Sequence, residues 1–163
     1  MALKPDRREV EYDIDQYMTT TAERGGCVSF VTAGSGAARD NGLNVVAYVA
    51  SNSGSIPAGI LLNDVVNIDL TKYELNRYKH EVQVGNKVTL LTRGEVVTNM
   101  IEPGATPSVG LGVFVGQSGL LRATAGAGGS THTPPIGRWM SSKDEDGYAK
   151  LQINLPFPRS TVV

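Results

Sequence analysis

Asp144, Glu145 and Asp146, followed by Gly147, are the first residues in the chain that suggest chemistry. Carboxylates spaced along a tight loop hold calcium, but an EF-hand loop needs a chelating Glu at its twelfth position. Counted from Asp144, that position is Leu155. The three acids are therefore read as a solvated turn. Gly116-Gln117-Ser118-Gly119-Leu120 resembles a nucleophile elbow, with Leu120 standing where the final Gly belongs. An elbow also needs a strand running into a helix, and a short strand is predicted after Ser118. Gly110-Leu111-Gly112 with Gly116 has one residue too many for a dinucleotide fingerprint, and no helix opens there to receive a phosphate.

The remaining candidates are isolated. His80 and His132 are the only histidines, and neither has a second ligand nearby at metal spacing. Asp64 and Asp69 lie too far apart in one predicted strand to be read as an acid–base pair. Cys27 sits in Cys27-Val28-Ser29-Phe30-Val31, where a lone Cys reads as a small buried hydrophobe, with a reactive thiol as the alternative. Trp139 beside Arg138 reads either as an interface anchor or as core packing. The expectation is that no residue is catalytic, that no metal is held and that no cofactor is bound.

The elements around these residues are short and β-like. In 136–155 two alternating runs meet at Lys143-Asp144-Glu145-Asp146-Gly147, and Asp-Gly between such runs is a strong hairpin signal. Ala149, Leu151, Ile153 and Leu155 alternate with polar residues, so one set faces a core. Val10, Tyr12 and Ile14 alternate with Glu11, Asp13 and Asp15 and predict a half-buried strand, after which Gly25-Gly26 turns. Further strands are predicted over 27–33, 43–50, 60–62, 64–70, 88–92 and 95–100, with Arg93-Gly94 as a reversal between the last two. Glu102-Pro103-Gly104 breaks the chain again. Short strands follow at 109–115 and after the Gln117-Ser118-Gly119 turn. The stretch 71–81 is read as an irregular connection, because its apolar residues make no stripe at helical spacing.

Composition agrees with an all-β chain. Among 163 residues, 40% are apolar and 19% charged, while 19 Gly and 8 Pro favour many strands and turns over long helices. The length suits one domain. A formal net charge of −1 gives no broad attraction for nucleic acid or anionic lipid. No run approaches the ~20 apolar residues of a membrane helix, and the first nine residues lack a signal-peptide core. The single Cys excludes an intrachain disulfide framework, which points to folding in a reducing cytoplasm. The fold expected is one antiparallel β-barrel or sandwich over 25–163, preceded by 1–24 as an N-terminal arm or edge strand.

Two stretches carry a resemblance. Leu62-Asn63-Asp64-Val65-Val66-Asn67-Ile68-Asp69-Leu70 with Glu81-Val82-Gln83-Val84-Gly85-Asn86-Lys87-Val88-Thr89-Leu90-Leu91 is similar to the middle of head decoration (cement) proteins of tailed bacteriophages, cyanophages included. Ile136-Gly137-Arg138-Trp139-Met140, with Asp144 to Gly147 and Tyr148-Ala149-Lys150-Leu151, resembles their closing hairpin. The resemblance implies a structural virion protein on the outer surface of an icosahedral capsid, made in the host cytoplasm. It implies that the major capsid protein is the partner and that the chain self-associates, as a trimer on the shell. Of the residues themselves, Tyr12, Ile14, Tyr17 and Met18 are expected to give apolar anchorage and Arg7, Arg8 and Arg24 to pair with shell acids, with Trp139 as a further interface candidate. The alternatives are a phage tail or baseplate component and a small β-barrel module for a ligand.

Overall fold

The structure, a computed structural model, describes residues 3–4, 6–31, 45–49, 55–64, 81–82, 84–125 and 135–155. The strands predicted beyond Asp64 and the connection before Glu81 lie outside these residues, as do both histidines. Among the described residues every regular element is a strand. In chain order they are β1 (Arg8–Met18), β2 (Ala22–Glu23), β3 (Cys27–Phe30), β4 (Val45–Tyr48), β5 (Pro57–Asp64), β6 (Glu81–Val82), β7 (Lys87–Thr98), β8 (Gly112–Val115), β9 (Leu121–Arg122), β10 (Gly137–Trp139) and β11 (Ala149–Asn154).

Nine strands share one mostly antiparallel sheet in the order β1-β4-β3-β5-β7-β11-β10-β8-β9, and β2 pairs with β6 beside it. β1 also pairs with β7, so β1, β4, β3, β5 and β7 close on themselves. A second closure forms where Ile101, just past β7, bridges Leu121 of β9. The two rings share β7. Closure of this kind leaves few open strand edges for another chain to pair with.

The shared wall explains the continuous apolar runs. Leu61, Leu90 and Val28 pack into one core with Met18, Val46 and Val88. Their neighbours Ile60, Leu62, Leu91 and Cys27 pack into the other with Trp139, Leu151 and Ile153. Successive residues of a strand point to opposite faces. A wall buried on both faces therefore needs apolar residues at every position, not every second one. Cys27 is fully buried there, as a small hydrophobe.

Two expectations are corrected. Arg93-Gly94 is not a reversal: β7 runs unbroken from Lys87 to Thr98. Gly94 takes φ +152°, and a Cβ there would overlap the Arg8 carbonyl oxygen. The glycine thus serves close approach of β1 to β7 rather than a turn. Val10, Tyr12 and Ile14 do not face a core either; they are 56%, 56% and 48% exposed. Register shifts between Glu9 and Glu11, Glu11 and Tyr12, and Asp13 and Gln16 break the simple alternation, and no side chain from Asp6 to Asp15 is buried.

The closing hairpin forms as its pattern requires. Gly137, Arg138 and Trp139 pair with Ile153, Gln152 and Leu151, and Ala149, Leu151 and Ile153 are buried. Gly147 takes φ +84°.

Candidate functional site

The N-terminal segment is laid along the shared strand. Leu3 bridges Thr98, Arg8 stands opposite Glu95, and Tyr17 stands opposite Lys87. Its far end reaches β4, where Tyr17 and Met18 pair in parallel with Val45 and Val46. Three ion pairs with other elements lie along the same path. Lys4 Nζ is 2.9 Å from Asp144, Lys150 Nζ is 3.9 Å from Asp6, and Lys87 Nζ is 3.1 Å from Asp15. Exposed pairs of this type add little stability singly. Their value is in fixing where the strand lies.

Lys4 is the most elaborated of these contacts. Its ammonium also lies 4.2 Å from the centre of the Tyr148 ring. Asp144 in turn accepts a 2.6 Å hydrogen bond from the Tyr148 backbone N–H, which closes the hairpin loop. The Lys4 hydrogen bond, followed by the Tyr148 amide, holds the Asp144 carboxyl below its ordinary value. The same contact raises Lys4. Asp144 is thus a loop-closing acceptor. Among the described residues no group of three or more His, Cys, Asp or Glu is placed to hold a metal.

The expected contact residues divide sharply. Tyr12 and Ile14 are exposed on β1, and Arg7 and Arg8 stand at its start, Arg7 Nε 2.7 Å from Glu9. Val10 belongs with them, and the same alternation marked it. Tyr17 is half-buried, with Lys87 Nζ 5.7 Å from its ring centre. Met18, in contrast, is buried in the first core, and Arg24 is half-buried in the turn after β2. Trp139 is 0% exposed, so in this chain its ring packs in the second core, the packing alternative of its two readings.

Ser118 occupies the hairpin turn between β8 and β9 at φ 52°, exposed. A strand follows it, where a nucleophile elbow requires a helix. What β1 offers instead is a surface for contact: apolar side chains on a strand already held in place, rimmed by charge.

Comparison with known families gives a match over residues 7–154 to the family described as "Structural cement protein (E217 gp24/Pam3 gp6)". The chain belongs to the phage structural cement protein family. The match runs from the start of β1 to the end of the closing hairpin, so it includes both rings and the exposed strand. This cement protein is a structural, non-enzymatic component of the phage capsid; it binds capsid proteins and stabilises the shell. A comparison with curated proteins gave no match.

Proposed function

We propose that this cement protein docks on the outer surface of the phage head through β1 and braces neighbouring major capsid proteins. The supporting observation is that Val10, Tyr12 and Ile14 are each 48–56% exposed on a strand fastened to β7. Apolar side chains on a fixed strand lose little freedom on docking, whereas a free arm gives up ~1–2 kcal/mol of backbone entropy per ordered residue. Arg7 and Arg8 at the start of the strand, with Arg24 in the turn after β2, supply forks for carboxylates of the shell. Because the shell repeats, modest contacts made by many copies add up. Three copies gathered about a local three-fold position fit this arrangement, since the rotation presents the same β1 surface to three equivalent stretches of the shell.

The experiment replaces Val10, Tyr12 and Ile14 together by Ser and adds the protein to undecorated heads. The variant is expected to fold as the parent does, because none of the three side chains is buried. Occupancy of the shell, counted by electron cryomicroscopy, is expected to fall at least tenfold. Full occupancy by the folded variant overturns docking through β1. Density on tails or baseplates in place of heads overturns the head assignment.

A further inference from the structure

A second exposed apolar group lies on the other ring, away from β1 in the sheet order. Val109 is 73% exposed, Leu111 43% and Met140 36%. They are gathered around one strand end: Gly110 N–H donates to the Trp139 carbonyl at 2.9 Å, and Trp139 N–H donates to the Leu111 carbonyl at 2.8 Å. Met140 N–H donates to the Lys150 carbonyl at 2.8 Å, which fixes it at the mouth of the hairpin loop. These side chains are therefore displayed on a backbone already bonded into the sheet. Exposed apolar residues grouped on rigid backbone mark contact sites.

Charge of both signs borders the group. Arg138, exposed, uses Nε to bond Gln152 Oε1 at 2.9 Å. No acid among the described residues pairs with its guanidinium. The hairpin loop that begins at Met140 carries Glu145 and Asp146, both exposed; Asp146 adds to Asp144 in raising Lys4, while Glu145 forms no ion pair with a described residue. Apolar surface, a guanidinium fork and carboxylates thus lie along one loop and the turn beside it. A patch that carries both halves of a charge pair beside an apolar centre can offer its guanidinium to one neighbour and its carboxylates to the next, the head-to-tail contact that closes a ring of copies.

We infer that this face is where one copy of the cement protein meets the next, with Arg138 of one copy against Glu145 and Asp146 of its neighbour. The occupant is a second copy of this chain. The apolar side chains fill the centre of the contact, and the ion pairs at its rim set orientation. β1 is a poorer face for the same purpose. Glu9, Glu11, Asp13 and Asp15 recur along it, so two β1 strands laid side by side would set acid against acid. The inference deepens the reading that copies sit side by side on the shell, while leaving β1 to the capsid.

The test uses the Arg138→Lys variant of the full chain, which keeps the charge and supplies a primary amine. Zero-length carbodiimide coupling is applied on decorated heads and on free protein at high concentration. Peptides joining position 138 to 145 or 146 between differently isotope-labelled chains are expected. Their yield should fall at least tenfold when Val109→Ser and Leu111→Ser are added, because these substitutions keep every coupling group and remove only the exposed apolar centre. Absence of that interchain peptide from both samples overturns the inference. So does a yield unchanged by the two serine substitutions. The β1 triple-Ser variant separates the two proposals: loss of decoration there says nothing against this face, and coupling in free protein does not depend on the capsid.

Discussion

Lys4 Nζ and an Asp144 carboxylate oxygen lie 2.9 Å apart, joining residues 140 positions distant in the chain. The contact clips the N-terminal segment to the closing hairpin. Asp144 is held below the ordinary carboxylate value by Lys4 first and the Tyr148 amide second. A carboxyl lowered on folding stabilises the folded form above its unfolded pKa, and that contribution is lost as pH falls through the lowered value. Lys4, raised on folding, contributes below its unfolded value and loses that contribution as pH rises through the raised one. The clip is thus complete at neutral pH and opens at acid pH. Substituting Lys4→Ala should move the Asp144 titration up towards 3.8, as followed by NMR of its carboxyl carbon. No movement would mean that the pair does not persist in solution.

Gly119 and Tyr48 give a prediction about packing. Gly119 takes φ +69°, and a Cβ there would overlap the Tyr48 ring. The ring is fixed in turn by its hydroxyl, which donates to the Glu23 carbonyl at 3.1 Å. Gly119→Ala is therefore strained by both backbone and neighbour, and a loss of about 2 kcal/mol or more is expected in urea unfolding. Tyr48→Phe removes one hydrogen bond and should cost only about 1 kcal/mol.

Trp139 offers a graded series. Its side chain is fully buried, and its indole N–H finds no hydrogen-bond partner among the described residues. Trp139→Ala should destabilise by about 3–5 kcal/mol, because a large cavity opens in the second core. Trp139→Phe keeps most of the ring volume and removes the unsatisfied donor, so it should cost clearly less. Equal losses for the two would show that the N–H finds a partner in solution.

These residues also show where sequence is readable. Ala149, Leu151 and Ile153 announced their hairpin because one face of β11 is buried and the other is not. Ile60-Leu61-Leu62 gave no alternation, since β5 lies between two cores and both faces are covered. Gly94 looked like a turn because a glycine is marked by its freedom, and sequence does not say whether that freedom serves reversal or close approach. On β1 the alternation was present, but bulges against β7 turned the apolar side chains outward. Part of the proposed docking surface, Tyr12 and Ile14 with Arg7 and Arg8, was thus legible as residues while its exposure was not. The burial of Met18 and Trp139 depends on which ring receives them, and that is set by pairings across the whole chain.

Deleting residues 1–18 should unfold the protein. The deletion removes Met18, 1% exposed in the first core, and a buried Met commonly contributes about 2–5 kcal/mol. It also strips the flank of β7 from Lys87 to Glu95 and breaks the closure through β4. Each lost backbone bond adds roughly 1 kcal/mol. The sum is comparable with the whole stability of a domain, about 5–15 kcal/mol. Deleting only residues 1–7 leaves β1 and Met18 in place and removes Leu3 and the Lys4 clip. That shorter form should keep its strand spectrum by circular dichroism and unfold at lower urea. If the protein lacking 1–18 keeps dispersed amide resonances, β1 is dispensable to the fold and the segment acts as an arm. If it loses them, docking must be tested with point substitutions on β1, because truncation would then report only on folding.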